Sequence, residues 1–275
     1  MGDVLRLGLV QMTSTNRHEG NIATAREMVA KAASEGCQMV AFPEVAGMMN
    51  RKLAHERELV GPEVSDPYIT ACQALAREFG VWIHTGSTPI AQRHEERFLN
   101  HSNMIDDKGR IVSAYDKIHL FDMYPENANP ILESKRYAPG DQGAVCETPW
   151  GPLGMSICYD LRFPQLYRDY AQSGARMLFI PSAFTVPTGR AHWEVLLRAR
   201  AIETGAFVVA AAQVGRHDDG RETYGHAMVV DPWGDVLADM EDRVGVAVVE
   251  MDMGRVALAR DRIPSLTHDR PIRGK

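Results

Sequence analysis

The chain has 275 residues, 45% hydrophobic, 24% charged and 7% aromatic, values near globular averages that exclude disordered, collagen-like and coiled-coil classes. A formal net charge of -6, with no cluster of Lys and Arg along the chain, gives no electrostatic footprint for a nucleic-acid backbone. No apolar run approaches a membrane span, and "MGDVLRLGLVQM" lacks a basic region followed by a cleavable apolar segment, so the expected location is the cytoplasm.

From the N-terminus, "LRLGLVQM" (5–12) predicts a buried strand, and Ile22, Ala25, Val29, Ala32 and Ala33 recur at helical spacing until Gly36. "QMVAFPEV" (38–45) is a second apolar strand. Asp66 and Pro67 then offer an N-cap and a first-turn proline for a helix with Ile69, Cys72, Leu75, Ala76 and Phe79 on one face, closed by Gly80. "VWIHTGS" (81–87) is a third strand, and a hairpin turning at Asp107-Lys108-Gly109 follows. The second half repeats the alternation: a strand over "PLGMSICYD", a helix over 164–173, a strand over 175–183, a helix over 191–204, and further strands at 205–213, 226–240 and 244–252. No linker separates the halves. The expectation is a single domain over 1–275, with two sheets packed together and helices on both outer faces.

The cysteines at 37, 72, 146 and 158 are too irregularly spaced for a zinc knuckle or a disulfide framework. Cys37, Cys72 and Cys146 read as small buried hydrophobes. Cys158 differs, because in "GMSICYDLRFPQL" an apolar strand delivers it to a polar corner. In α/β folds, chemistry gathers where the carboxyl ends of strands open into loops. Three predicted strands place a reactive group there: Glu44 in "AFPEV", Lys117 in "AYDKIHL" and Cys158 in "SICYD". A thiol attacking a carbonyl or nitrile carbon needs a base for its proton and a cationic donor for the oxyanion. A carboxylate and an ammonium fill those roles. Each residue taken alone has an ordinary structural reading, as a solvated loop carboxylate, a surface lysine or an inert buried thiol.

Taken together, "FPEV", "YDKIHLFD" and "GMSICYDLRFPQL" resemble, in order, the three signature segments of the nitrilase superfamily of carbon-nitrogen hydrolases. The resemblance runs from "LVQM" to the C-terminal region. It implies a four-layer α-β-β-α sandwich, Glu44, Lys117 and Cys158 as catalytic residues, and the Tyr159 amide as a second oxyanion donor. It also implies a homodimer or larger homo-oligomer, a small-molecule amide substrate, and no metal or organic cofactor. "ESKRYAPGD" (133–141) resembles the segment carrying a second pocket glutamate, which makes Glu133 a further catalytic candidate, although the preceding "FDMYPENANPIL" departs from the family pattern.

The segments 181–217 and 224–238 resemble the Nit branch, and within it the amidases acting on deaminated glutathione. That resemblance implies cleavage of a 2-oxoglutaryl amide to 2-oxoglutarate and cysteinylglycine. Arg162, four residues past the thiol, is a candidate for the substrate carboxylate, with a structural salt bridge as its other reading. Tyr159, Ser182 and His192 complete the candidate substrate-binding set, and His192 has a loop-carbonyl partner as its alternative. Arg198, Arg200 and Glu203 read as an ion-pair face or dimer contact, and Gln213 and His226 as satisfied polar groups. Three rivals stand beside this reading: an ω-amidase acting on 2-oxoglutaramate or 2-oxosuccinamate, a Cys-His hydrolase using His119 or His192 as base, and a binding protein that has lost turnover.

Overall fold

Leu5, Leu7 and Leu9 alternate along the strand Val4–Met12 and turn the same way, while Gly8 and Val10 face the other way, as the two-residue period of a strand requires. Both faces are apolar because both are covered. The strand runs parallel to Met39–Ala41 and Ala212–Arg216 and pairs antiparallel from Val4 to Gln11 with Gly245–Asp252. Trp82–His84, Leu99–Ile105, Thr88–Ile90, Ile111–Asp116 and Glu222–Tyr224 complete this nine-stranded sheet. A second sheet has the order Val236–Asp239, Met228–Val230, Phe207–Ala210, Met177–Phe179, Leu153–Met155 and Ala144–Cys146. The computed structural model describes residues 4–124 and 129–271.

The two sheets meet face to face through Leu5, Leu7, Leu9 and Met39 on one side and Met155, Met177, Phe179 and Phe207 on the other, all essentially inaccessible to solvent. Trp82 and Trp150 cross this seam edge to face at 6.3 Å. The helices His18–Ser34 and Pro67–Phe79 cover the outer face of the first sheet, setting Ala25, Val29, Cys72 and Leu75 on Val10, Val40 and Ile83. Gly8 permits the close approach, since a Cβ there would lie 2.9 Å from the Cβ of Ala32. Helices Pro164–Gln172 and Val186–Thr204 cover the second sheet with Tyr167, Leu197 and Ala201. The result is the four-layer α-β-β-α sandwich.

Asp66 caps the helix Pro67–Phe79, its carboxylate accepting from the Ile69 amide at 2.9 Å, and Gly80 ends it at φ 64°. The first helix begins at His18, four residues before the apolar pattern starts at Ile22, and the helix of the second half at Val186 rather than 191. Helices Leu53–Leu59 and Gly254–Arg262 are additional to the expected elements. Among the described residues no helix is long and apolar enough to cross a membrane. All four cysteines are free and buried.

Candidate active site

Glu44 stands three residues beyond the strand Met39–Ala41, where Pro43 ends the ladder. The turn is tight: Val45 sits at φ 51° with its amide donating to Ser87 Oγ at 2.8 Å, and a Cβ on Gly86 would fall 1.9 Å from the Pro43 carbonyl oxygen. The residue is only 5% exposed and its carboxylate is fully engaged. Its Oε1 accepts from Lys117 Nζ at 2.8 Å and Asn100 Nδ2 at 2.9 Å, and its Oε2 accepts from the Ala183 amide at 2.9 Å. Gln213, wholly buried, donates to the Glu44 carbonyl at 2.9 Å and so fixes the backbone beneath the side chain.

Lys117 follows the strand Ile111–Asp116 and is 1% exposed. Besides Glu44 it donates to both oxygens of Glu133 at 2.9 Å. Glu133 opens a short 3-10 turn, Glu133–Lys135, and its Oε2 also accepts from the Phe121 amide at 2.5 Å. Asn100 bridges the two carboxylates, reaching Glu133 Oε1 at 3.4 Å. Burial alone would pull the ammonium of Lys117 down, but Glu133 and then Glu44 overcome it and hold the pKa well above the ordinary lysine value.

The strand expected to deliver Cys158 stops earlier, at Met155, and the thiol sits instead on the first residue of a 3-10 turn, Cys158–Arg162. The physical reason is Asp160. This wholly buried carboxylate accepts from the Ile157 amide at 2.8 Å, Tyr115 Oη at 2.7 Å and the His119 amide at 3.0 Å, and so draws the chain back on itself. Cys158 is left at φ 50°, a left-handed conformation that costs a non-glycine residue roughly 1–3 kcal/mol. The Tyr159 amide, in the first turn, has no acceptor among the described residues. The thiol lies within electrostatic reach of Glu44 and Lys117. Its pKa is raised well above the ordinary value by burial first and the Glu44 charge second, with Lys117 opposing them. The resting sulfur is therefore a protonated thiol and needs a base.

Cys158 forms part of a hollow walled by Phe121, Tyr159, Arg162, Phe184 and Thr188. The structure thus brings Glu44, Lys117, Glu133 and Cys158 together, with Tyr159 and Arg162 at the same opening. Arg162 lies over the rings of Tyr159 (5.8 Å) and Phe184 (5.6 Å), and both its terminal nitrogens reach His192 Nδ1 at 3.3 Å. It has no carboxylate partner among the described residues. His192 is exposed and stands behind Arg162 rather than in the wall.

Ser182 requires correction as a substrate-binding residue. It is wholly buried, its hydroxyl donates to the Ile180 carbonyl at 3.0 Å, and it lies outside the wall of the hollow. His119 is held by Asp160 at 2.7 Å and stacked on Phe163, an arrangement that commits it to the turn. Arg200 is buried, pairs with Glu203 at 2.8 Å and donates to the Leu161 carbonyl, tying the long helix to the Cys158 turn. His226 pairs with Asp239 at 3.0 Å. Asn100 and Asp160 escaped the sequence reading. An amide in the strand Leu99–Ile105 and a carboxylate next to an apolar run were the available signals, since each must find partners once buried.

Behind Asn100 and Lys117 the next residues along the paired strands, His101 and Asp116, face each other. His101 Nδ1 lies 2.6 Å from Asp116 and Nε2 3.3 Å from Glu63. Burial would lower the imidazole pKa, but Asp116 and then Glu63 raise it to about 9. The folded value exceeds the unfolded one of about 6.5, so this stabilisation is complete below pH 6.5 and disappears as pH rises toward 9. Between those limits the wild type is expected to lose up to about 3 kcal/mol relative to His101→Gln, an upper bound because both carboxylates are partly exposed. Urea unfolding of the two proteins at pH 6.5 and 9.5 reads this difference, and parallel pH profiles would refute it.

The family pattern of the carbon-nitrogen hydrolases matches residues 6–261 of the chain. The chain belongs to the carbon-nitrogen hydrolase family. Within the family it is 38% identical over 275 residues to the deaminated glutathione amidase of Dictyostelium discoideum, covering 98% of this chain and 94% of that protein. The C. elegans NitFhit protein superimposes with a TM-score of 0.91 at 37% identity; the match covers 98% of this hydrolase but spans 66% of the NitFhit chain. A mutant of the amidase from Nesterenkonia sp. AN1, 25% identical over 95% of each chain with a TM-score of 0.79, shows covalent addition of the acetamide moiety of fluoroacetamide at its active site cysteine.

Proposed function

We propose that this hydrolase cleaves a carboxylate-bearing amide, deaminated glutathione, through a thioester on Cys158, releasing cysteinylglycine and then 2-oxoglutarate. The observation that carries the chemistry is the Cys158 thiol set within electrostatic reach of the buried Glu44 carboxylate, which is itself 2.8 Å from the Lys117 ammonium. Glu44 takes the thiol proton as sulfur bonds to the amide carbon, and the carbonyl electron pair moves onto oxygen. Lys117 Nζ and the Tyr159 amide donate to that oxyanion. The tetrahedral intermediate collapses, the carbon–nitrogen bond breaks, and the departing amine takes the proton from Glu44. A water then repeats the sequence in reverse: Glu44 removes its proton, oxygen attacks the thioester, and the sulfur leaves and regains a proton. Glu133 holds Lys117 in place throughout.

The substrate assignment is supported by near full-length similarity to a deaminated glutathione amidase and by Arg162, whose guanidinium is free of carboxylate partners among the described residues and available for a fork contact with an anionic substrate. The test compares kcat/KM on deaminated glutathione and on 2-oxoglutaramate, which share the acyl group and differ in the leaving amine. Deaminated glutathione is expected to be the better substrate. A tenfold or larger preference for 2-oxoglutaramate would assign the protein to the ω-amidase reading instead.

A further inference from the structure

Lys117 touches three carboxylate oxygens, Glu44 Oε1 at 2.8 Å and both oxygens of Glu133 at 2.9 Å, and an ammonium has three N–H groups. All three are in use. To donate to an oxyanion, Lys117 must let one of these oxygens go, and a buried carboxylate oxygen stripped of its donor is costly. Each of the three has a second, uncharged donor in place. Asn100 Nδ2 donates to Glu44 Oε1 at 2.9 Å and reaches Glu133 Oε1 at 3.4 Å, while the Phe121 amide donates to Glu133 Oε2 at 2.5 Å. Asn100 thus covers two of the three oxygens that Lys117 can release.

The backbone makes this pairing. Asn100 lies on the strand Leu99–Ile105, Lys117 follows Ile111–Asp116, and the two strands run antiparallel with His101 opposite Asp116. The Lys117 amide donates to the Asn100 carbonyl at 3.0 Å, which sets the two residues side by side at the end of the ladder. Asn100 is 2% exposed, and its Oδ1 is buried with no donor among the described residues. Turned the other way, the amide would set that oxygen against two carboxylate oxygens, so it is the NH2 that faces them. Within Glu44 the donors are shared unequally. Oε1 accepts from both Lys117 and Asn100, which fills its two lone pairs, whereas Oε2 accepts only from the Ala183 amide among the described residues. The open lone pair is on Oε2.

We infer, resting on the roles proposed above for Glu44, Lys117 and Cys158, that Asn100 is a positioning residue: it directs the thiol proton to Glu44 Oε2 and keeps both carboxylates bonded while Lys117 turns one N–H to the oxyanion. The titratable groups around its amide are Glu44, Glu133 and Lys117, with Cys158 next to Glu44. His101, with Asp116 and Glu63, lies on the opposite face of the strand, and its pKa of about 9 confines its titration to the alkaline side of a rate profile. Removing the Asn100 donor disfavours the ionised form of Glu44, so the base is expected to take up its proton at higher pH.

The experiment uses the full-length enzyme and iodoacetamide as a probe of Cys158 that does not depend on the natural substrate. Sulfur bonds to the CH2 carbon, iodide leaves, and the thiol proton passes to Glu44; the added mass on the Cys158 peptide gives the rate at each pH. In the wild type this rate is expected to fall in acid, and Glu44→Gln to lose that acid limb. In Asn100→Leu the limb is expected to move to higher pH by about one unit. Turnover is measured on whichever of deaminated glutathione and 2-oxoglutaramate the wild type hydrolyses faster. There kcat is expected to fall about 10–100-fold, the rate equivalent of one hydrogen bond to a charged group. KM should stay within about threefold, as for an interaction that strengthens only in the transition state. Asn100→Asp keeps the shape and puts an acceptor where the NH2 was, so it is expected to fall at least as far, and it decides the matter if the leucine variant does not fold. An acid limb that stays in place in the folded variant, while Glu44→Gln removes it, overturns the role of Asn100 and leaves Glu44 as the base. A Glu44→Gln enzyme that keeps the wild-type limb overturns the base reading, and the role of Asn100 with it.

Discussion

Glu44→Gln is expected to lower kcat by roughly 10²–10⁴-fold, the range lost with a positioned general base, in a protein that remains folded. The size of the effect follows from the thiol. Burial, the largest influence holding Cys158 protonated, is untouched by the substitution, so the variant loses the base that must remove the thiol proton. Glutamine matches the shape of glutamate but not its acceptors. Lys117, Asn100 and the Ala183 amide all donate to Glu44, and a carboxamide presents one oxygen and an NH2 to those three donors. One of them faces another donor, at a cost of about 1–3 kcal/mol in stability. Because deacylation uses the same base, the variant is expected to accumulate the 2-oxoglutaryl thioester, visible as an added acyl mass on Cys158 in intact-protein mass spectrometry. Turnover within about fivefold of wild type would remove Glu44 from the mechanism.

Lys117→Met removes two things at once. The first is an oxyanion donor, whose loss in acyl-transfer enzymes typically costs about 10²–10³-fold in kcat. The second is the cation that, among the described residues, bonds to both Glu44 and Glu133, two carboxylates with side chains only 7% and 12% exposed. Breaking a buried ion pair by deleting one partner costs roughly 3–5 kcal/mol. The pH dependence separates this from ordinary loss of packing. Without the ammonium, one carboxylate must take up a proton for the site to form, so the folded variant binds more protons than the unfolded chain and its stability falls as pH rises. The deficit relative to wild type should therefore be smaller at pH 5 than at pH 8 in urea titrations. An equal deficit at both values would mean that the two carboxylates do not depend on Lys117 for their charge.

Much of this was present in the linear chain. The two-residue alternation of Leu5, Leu7 and Leu9, and the helical stripe of Ile69, Cys72, Leu75 and Ala76, are local patterns, and period alone assigns them to layers. The residue types of the site were also legible, because a thiol, a carboxylate and an ammonium near strand ends suit acyl transfer and their flanking segments match a family. Boundaries were less so. The helix expected over 191–204 starts at Val186, with Pro187 in its first turn, where its missing N–H costs nothing. Gly189 is inside the helix because a Cβ there would meet the Tyr224 ring at 2.2 Å. That constraint comes from a strand 35 residues away, and no local pattern encodes it.

What the sequence by itself determined about this protein is its layer pattern, its family and the chemical types at Glu44, Lys117, Glu133 and Cys158. Only the tertiary structure decided how they act. Lys117 meets Glu44 across 73 positions of chain, and Ala183 meets it across 139. The thiol's protonation, the left-handed turn at Cys158 imposed by Asp160, the bridge made by Asn100 and the withdrawal of Ser182 from the hollow all arise from such distant meetings. The physical reason is that residue type and hydrophobic period are properties of a short segment. The charge state and aim of a buried polar group are set by the donors, acceptors and neighbouring charges that folding places around it.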